Sequence, residues 1–183
     1  KVCAERAWIS IPGKISKIYG INSDIKNKNS YLKDIFIRSK EGDEVKFPTN
    51  NVEKCGNVIT LSDSFEKSNI EAEKIISSIV LRLEPNNEET TKFLEQDLDT
   101  NFPPSAFNTK LDLENLEQIA MEIETSSLRD WNYRTIKETI KLFTEISNCE
   151  IFISNEKFWH YLLRGGIQGA LYYFDSFHDD IVE

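Results

Sequence analysis

The chain has 183 residues, of which 39% are hydrophobic and 29% charged, and its formal net charge at pH 7 is −9. Seven glycines and five prolines are too few for a fibrous or disordered protein, and no apolar run is long enough to predict a membrane span. A chain of this length buries an adequate core without metal or disulfide crosslinks. We therefore predict a single domain, 1–183, with a β-rich part, 1–62, and a mainly helical part, 63–183.

The β-rich part begins with a short β-prone run at 8–11, which Pro12 and Gly13 end. Residues 31–38 and 44–47 are β-prone and flank a turn, which predicts a hairpin. Residues 57–61 are a third β-like run. Together these runs predict a small N-terminal antiparallel sheet in an α+β fold.

The segment 70–83 fits two periodicities. Ala72, Ile75, Ile76 and Ile79 follow helical spacing, whereas alternate residues from Ile75 to Leu83 follow strand spacing. Length and a Glu/Lys-rich start favour a helix from about Asn69 to Leu83, and the strand stays the alternative.

The remaining helices follow from caps and periodicity. We predict a short helix at 88–98, an ordered irregular loop at 99–108, and a helix that Asp112 caps. The most regular helix is expected at about 132–147, and a short buried extended segment at 151–153 follows it.

The segment 155–177 holds seven of the chain's twenty aromatic residues, so it offers the largest apolar area to a core. Asn155 is a favourable N-cap for a helix here. Gly165, Gly166 and Gly169 interrupt it, which predicts a bend, a small face for close packing, or both.

Charge is concentrated in one part of the chain. Residues 84–124 contain eleven acidic and two basic side chains, whereas residues 1–83 contain fourteen basic and eleven acidic ones. If the acidic helices lie side by side, their face repels nucleic acid and anionic membranes and attracts a basic protein. A solvated surface that only keeps the protein soluble is the alternative.

The N-terminus and the three cysteines are relevant to whether the protein is exported or cytoplasmic. The single methionine is Met121 and the chain begins at Lys1, so a cleaved signal peptide or a boundary inside a longer chain are both open. If the protein is exported to the periplasm, we expect a Cys3–Cys55 disulfide and a buried unpaired Cys149. In the cytoplasm, the alternative location, all three cysteines would be reduced.

Catalytic patterns are few. The two histidines are His160, inside the aromatic helix, and His178, in a tail where Asp175, Asp179 and Asp180 could supply cation ligands. The spacing of this tail matches no known cation loop, and no hydrolase, zinc-protease or nucleotide-binding motif occurs. We therefore assign no catalytic, cofactor-binding or metal-binding residue and expect no cofactor.

Three functions are considered. The first is a bacterial immunity protein or inhibitor that occludes a basic toxin or enzyme. The second is a structural or adaptor domain of an exported or viral assembly, and an enzyme with a dispersed site ranks last. For partner binding we expect an acidic rim with an apolar anchor, formed by Glu88, Glu89, Glu95, Asp97, Phe102, Phe107, Glu114 and Glu117.

Overall fold

The computed structural model describes residues 1–109, 111–112, 114–150 and 155–177, and it confirms the α+β class with a small N-terminal antiparallel sheet region. The strands are β1 Val2–Trp8, β2 Gly13–Tyr19, β3 Leu32–Ile37, β4 Glu44–Val45, β5 Gly56–Ser62 and β6 Val80–Leu83. The helices are α1 Ile25–Lys28, α2 Phe65–Ser78, α3 Glu88–Leu94, α4 Leu116–Thr125, α5 Ile136–Ser147 and α6 Glu156–Ser176.

The chain forms two compact units. Unit 1 comprises Lys1–Arg82 and Trp131–Tyr133, and unit 2 comprises Leu83–Asp130 and Arg134–Glu183. The expectation of a single domain stays a prediction.

Unit 1 contains two three-stranded sheets, in the orders β1-β5-β3 and β4-β2-β6, with α2 packed on β1 and β5. The predicted hairpin is wrong, because β3 pairs antiparallel with β5, and β4 pairs with β2 in the other sheet. Strand β3 pairs with the buried strand β5 along its whole length, from the pair Leu32 and Thr60 to the pair Ile37 and Gly56. Strand β4 is only two residues long and offers far less pairing.

The first strand also lies elsewhere than predicted. It runs from Val2 to Trp8, so it includes only the first residue of the run 8–11 that the pattern favoured. The reason is tertiary: the amide side chain of Asn132 binds both the N–H and the C=O of Ile9, and these groups are then not available to a sheet.

The ambiguous segment 70–83 contains both predicted structures. Helix α2 runs from Phe65 to Ser78, with the Ser64 side chain accepting a hydrogen bond from the Lys67 N–H, and strand β6 begins at Val80. The predicted continuation of the helix to Leu83 is wrong, because Ile79 is extended and β6 joins the edge of β2.

The Cys3–Cys55 disulfide is excluded by strand register. Cys3 lies opposite Leu61 on β5, whereas Cys55 adjoins Gly56 opposite Trp8. At about 3.4 Å per residue the two cysteines are about 20 Å apart, and a disulfide requires Cα atoms within about 7 Å. Cys3 is exposed, Cys55 buried and Cys149 only half-buried, and all three are reduced.

Several predicted helix boundaries in unit 2 change for local reasons. Helix α3 ends at Leu94 and not at Leu98 as predicted. The N-cap of α4 is Asn115 and not Asp112, because Asn115 Oδ1 accepts a hydrogen bond from the Gln118 N–H. Helix α5 begins at Ile136 because Thr135 and Glu138 form a reciprocal capping box. Its predicted start at Asn132 is wrong, since Tyr133 has a φ of 68°. The predicted extended segment 151–153 lies outside the described residues.

Helix α6 forms the core of unit 2. Asn155 caps it as predicted, accepting from the Phe158 N–H, and Gly166 breaks the helical backbone with φ 61° and ψ −143°. A Cβ atom on Gly169 would lie 1.9 Å from the Tyr161 carbonyl oxygen. The predicted bend is therefore confirmed, and Gly169 packs closely against the first half of α6 itself.

At the bend in α6, two carbonyl groups accept hydrogen bonds from the loop before α4. The Arg164 oxygen accepts from the Ala106 N–H at 3.1 Å, and the Leu163 oxygen accepts from the Phe107 N–H at 2.9 Å. This loop is thus fixed to the bend by its backbone.

Among the described helices, none is both long enough and apolar enough to cross a membrane.

Candidate functional site

Helix α6 binds both ends of α3, and the outer face of α3 is exposed. At the first end, the Tyr172 hydroxyl accepts from the Asn87 N–H and donates to the Asn87 C=O, both at 2.8 Å. Asn87 is also the N-cap of α3, accepting from the Thr90 N–H. The Thr91 hydroxyl lies 2.7 Å from the Tyr172 hydroxyl. Tyr172 therefore fixes both the cap and the first turn.

At the other end of α3, Arg164 fixes the last turn of the helix and the residues that follow it. Its Nε donates to the Phe93 carbonyl at 3.0 Å, one terminal nitrogen donates to the Pro103 carbonyl at 2.8 Å, and the other donates to Gln96 Oε1. The guanidinium also lies 4.1 Å from the centre of the Phe93 ring. Burial lowers the pKa of Arg164 to about 10, so it is still a cation at neutral pH.

Two neighbouring side chains of α6 complete this end. The Tyr161 hydroxyl donates to Glu95 Oε1 at 3.2 Å, and burial together with that carboxylate raises the pKa of Tyr161 far above its usual range. His160 Nε2 lies 3.1 Å from the Gln96 carbonyl, which makes Nε2 the protonated nitrogen. His160 is therefore a half-buried hydrogen-bond donor.

A shallow pocket that is wide open to solvent, with a cavity volume of about 620 Å³, lies along this face of α3. Its lining combines two carboxylates, an ammonium group, two amides and a hydroxyl, from Glu88, Glu95, Lys92, Asn86, Gln96 and Thr91. The three charged residues follow one another at spacings of four and three, so they share one helix face.

Only part of the predicted partner site meets at this cavity. Glu88 and Glu95 line it, whereas the other predicted acids are exposed elsewhere: Glu89, Asp97, Glu114 and Glu117. Phe102 is 59% exposed, whereas Phe107 is fully buried and bound to the bend of α6, so of the two expected apolar anchors only Phe102 lies at the surface. The binding role of the acids and of Phe102 stays a prediction.

The sequence analysis did not select Lys92, Thr91 or Gln96. A signal for Lys92 exists, since it is one of only two basic residues in the acidic stretch 84–124 and follows Glu88 by one helical turn. No sequence signal marks Gln96, because its place depends on a hydrogen bond from Arg164, 68 positions away.

Unit 1 has a smaller, more apolar cavity of about 450 Å³, lined by Ile18, Ile21, Ile37, Lys40 and Glu41. Glu41 Oε1 accepts a hydrogen bond from the Ile18 N–H at 3.0 Å, which joins the turn after β3 to strand β2. The adjoining Phe36 and Ile37 are about half exposed.

No group of three or more potential metal ligands occurs among the residues that the structure describes. The tail that could supply cation ligands lies largely outside them, at His178, Asp179 and Asp180.

One family model matches a part of the chain that largely coincides with unit 1. Residues 7–84 match the family described as L-amino acid ligase C-terminal domain 2, which is less than half of the chain. A solved structure, phosphoribosylglycinamide synthetase from Anaerococcus prevotii, aligns with 23% identity and a TM-score of 0.39 over 45% of this chain. That alignment spans only 20% of the synthetase and is too weak to support an inference. No curated protein matches.

The family match corrects the functional expectations. It relates unit 1 to a domain of a ligase, so the predictions of an immunity protein or toxin inhibitor, of an adaptor domain and of a non-enzymatic chain are wrong. The low rank given to an enzyme is the main error. Export to the periplasm and a basic protein partner stay predictions.

Proposed function

We propose that unit 1 is an accessory C-terminal domain of a ligase that joins L-amino acids. The observation that supports this proposal is that the residues matched by the family nearly coincide with the main segment of unit 1. The family match covers residues 7–84, and the main segment of unit 1, found from the structure alone, is Lys1–Arg82. The match therefore covers a compact structural unit and not an arbitrary stretch of sequence.

The architecture of unit 1 suits a supporting role. Strand β5 lies between β1 and β3, and α2 covers β1 and β5, which makes a rigid platform. A ligase must protect an activated carboxyl group from water, and a rigid domain beside the reacting atoms contributes by excluding solvent. The positive charge balance of residues 1–83 also favours proximity to an anionic nucleotide.

The direct test uses the polypeptide that carries this chain, purified from its natural source. It is incubated with ATP, Mg²⁺ and pairs of L-amino acids, with phosphate release and dipeptide formation measured together. We expect both products to require two L-amino acids, and D-amino acids serve as the matched control. Absence of both products with every pair of the common L-amino acids would overturn the proposal.

A second measurement asks whether unit 1 takes part. Gly56→Ala places a methyl group about 2.1 Å from the Trp8 ring, and should disturb unit 1 and lower the ligation rate. Gly42→Ala, with nothing within 4 Å of the new methyl group, should leave most of the activity. Equal activity in both variants, with unit 1 shown to be disturbed by Gly56→Ala, would contradict a role for this unit.

A further inference from the structure

We propose that unit 1 associates with a second copy of this chain through strand β3, edge to edge and antiparallel, about a twofold axis at Phe36. In the part of the chain that the structure describes, β3 has a neighbouring strand on one side only, because the sheet order is β1-β5-β3. In the dimer, the three-stranded sheets of the two copies join into one continuous antiparallel sheet. The proposal rests on this edge and does not depend on the proposed function of unit 1.

The second half of β3 is an apolar edge that reaches the surface. Phe36 is 49% exposed and Ile37 is 50% exposed. Natural proteins usually protect an edge strand with charged side chains or an irregular register. The first half of β3 has both, at Lys33, and the other edge strand, β1, carries Glu5 and Arg6, each of which forms an ion pair. The second half of β3 is therefore the edge that is best suited to pairing.

The backbone groups of this half point in the directions that pairing requires. The Arg38 N–H donates to the Cys55 carbonyl at 3.0 Å, on the side of β5. The groups of successive residues alternate between the two sides of a strand. The N–H and C=O of Phe36 therefore face β5, and those of Ile35 and Ile37 face the open edge.

The segment 34–38 is complementary to itself when it is read in reverse. Its sequence is Asp34, Ile35, Phe36, Ile37, Arg38. An antiparallel copy centred on Phe36 places Ile35 opposite Ile37, and such a pair exchanges both of its N–H···O bonds through the outward-facing groups. The same register places Asp34 opposite Arg38, in the closer type of cross-strand pair and with opposite charge. The two Phe36 rings meet at the axis.

Neighbouring registers are less favourable. A shift of one residue sets outward-facing backbone groups against inward-facing ones, and a shift of two in either direction separates Asp34 from Arg38. Asp34 has one ion-pair contact within the chain, since Lys26 Nζ lies 3.5 Å from its Oδ1. Both side chains are about half exposed, so this ion pair contributes little. The Asp34 carboxylate is therefore available to Arg38 of the second copy.

The size of the interface sets the expected affinity. A standard interface buries about 800 Å² on each partner, and one short strand with its side chains buries less. We expect a dissociation constant on the order of 100 µM. Because the twofold arrangement uses the same edge of both copies, association through β3 stops at the dimer.

The first experiment is sedimentation equilibrium of the chain at pH 7, from about 10 µM to about 1 mM. We expect the mass to rise from monomer to dimer and no further. Phe36→Lys should raise the dissociation constant at least about tenfold, because it sets two like charges opposite each other at the axis. Phe65→Lys is the matched control, since Phe65 is 63% exposed at the start of α2, and it should dimerise as the wild type does.

A charge exchange tests the cross-strand pair. Arg38→Asp sets like charges opposite each other on both sides of the axis, so it should weaken the dimer about tenfold. Adding Asp34→Arg to this variant restores opposite charges and should return the dissociation constant to within about threefold of the wild-type value. A role of either residue only within its own chain would not give this recovery.

Crosslinking tests the register. Cys3 and Cys149 are changed to serine, because neither is buried. Asp34→Cys and Arg38→Cys proteins are then oxidised with diamide, separately and as a mixture. The mixture should give disulfide-linked dimers with one copy of each protein, since the Cα atoms of such a cross-strand pair lie about 4.5 Å apart.

A monomer at all concentrations, a dimer that Phe36→Lys leaves intact, or failure of Asp34→Arg to restore association would each overturn the proposal. Crosslinking of Asp34→Cys with itself as readily as with Arg38→Cys would do the same. Oligomeric state is measured without any assay of ligation, so its outcome and that of the proposed function of unit 1 are separate.

Discussion

Asn132 and Ile9, 123 positions apart, are joined by a pair of hydrogen bonds. Asn132 Oδ1 accepts from the Ile9 N–H, and Asn132 Nδ2 donates to the Ile9 carbonyl, both at 3.0 Å. Neighbouring Trp131 packs edge-on against Phe47, with ring centres 5.1 Å apart. Residues 131–133 are therefore part of unit 1, although they lie beyond the family match.

We expect Asn132→Ala to lower the free energy of unfolding by about 1–3 kcal/mol, because it removes the partner of two peptide groups in a partly buried site. Urea unfolding followed by circular dichroism measures the change. Asn101→Ala is the matched control, since Asn101 is exposed, and it should change stability by less than about 0.5 kcal/mol. Similar changes in unfolding free energy for both variants would show that the two hydrogen bonds between Asn132 and Ile9 are not important for stability.

Gly169→Ala should be among the most destabilising single-methyl additions in the chain. The new Cβ would lie 1.9 Å from the Tyr161 carbonyl oxygen, a backbone atom that cannot rotate away. We expect a loss of about 3 kcal/mol or more in the free energy of unfolding. Gly42→Ala, which adds only left-handed backbone strain at φ +91°, should cost about 1–2 kcal/mol. A thermal melt of the two variants tests the order.

Arg164→Met should destabilise unit 2 by about 3 kcal/mol or more. The substitution keeps an apolar stem but leaves the Phe93 and Pro103 carbonyls and Gln96 Oε1 without their donor. Arg38→Met is the control, because Arg38 is exposed. Chemical denaturation should separate the two variants, and a small effect of Arg164→Met would mean that water replaces the guanidinium.

The three cysteines should differ in reactivity. Burial raises the pKa of the Cys55 thiol from about 9 to about 11, so at pH 8 only about one molecule in a thousand carries the reactive thiolate there. Iodoacetamide should modify exposed Cys3 quickly in the native protein and Cys55 only after denaturation. Mass spectrometry of the denatured protein should count three thiols, and a count of one would restore the disulfide.

Glu53 should give a stability change confined to acidic pH. A hydrogen bond from Lys46 and two from Thr49 lower its pKa from 4.5 to about 2. Because the folded-state pKa is the lower one, the contribution is complete above about pH 4.5 and is lost as pH falls through about 2. The stability difference between wild type and Glu53→Gln should therefore shrink over that window. Asp99→Asn controls for loss of a surface carboxylate, and a pH-independent difference for Glu53→Gln would contradict the assignment.

The amino-acid sequence by itself determined the features that depend on neighbours within one or two helical turns. The α+β class, the cap at Asn155 and the contribution of the aromatic segment 155–177 to the core follow from side-chain type and periodicity. The bend at Gly166 follows as well, because glycine tolerates a backbone that other residues avoid. The segment 70–83 shows the limit of such reasoning. Its sequence fits both the helical and the strand pattern, and the structure has a helix in its first part and a strand in its last part.

Only the tertiary structure decided the features that join distant parts of the chain. Local pattern favoured a hairpin between neighbouring strands, but the longer ladder on β5 was the stronger partner for β3. Phe107, one of the two candidate apolar anchors, is buried because its N–H binds the Leu163 carbonyl at the bend of α6. The position of Gln96 at the pocket beside α3 depends on a hydrogen bond from Arg164, which is 68 positions away in the sequence. These choices are settled by burial and hydrogen bonding between residues that no local pattern relates, because such energies exist only once the chain has folded.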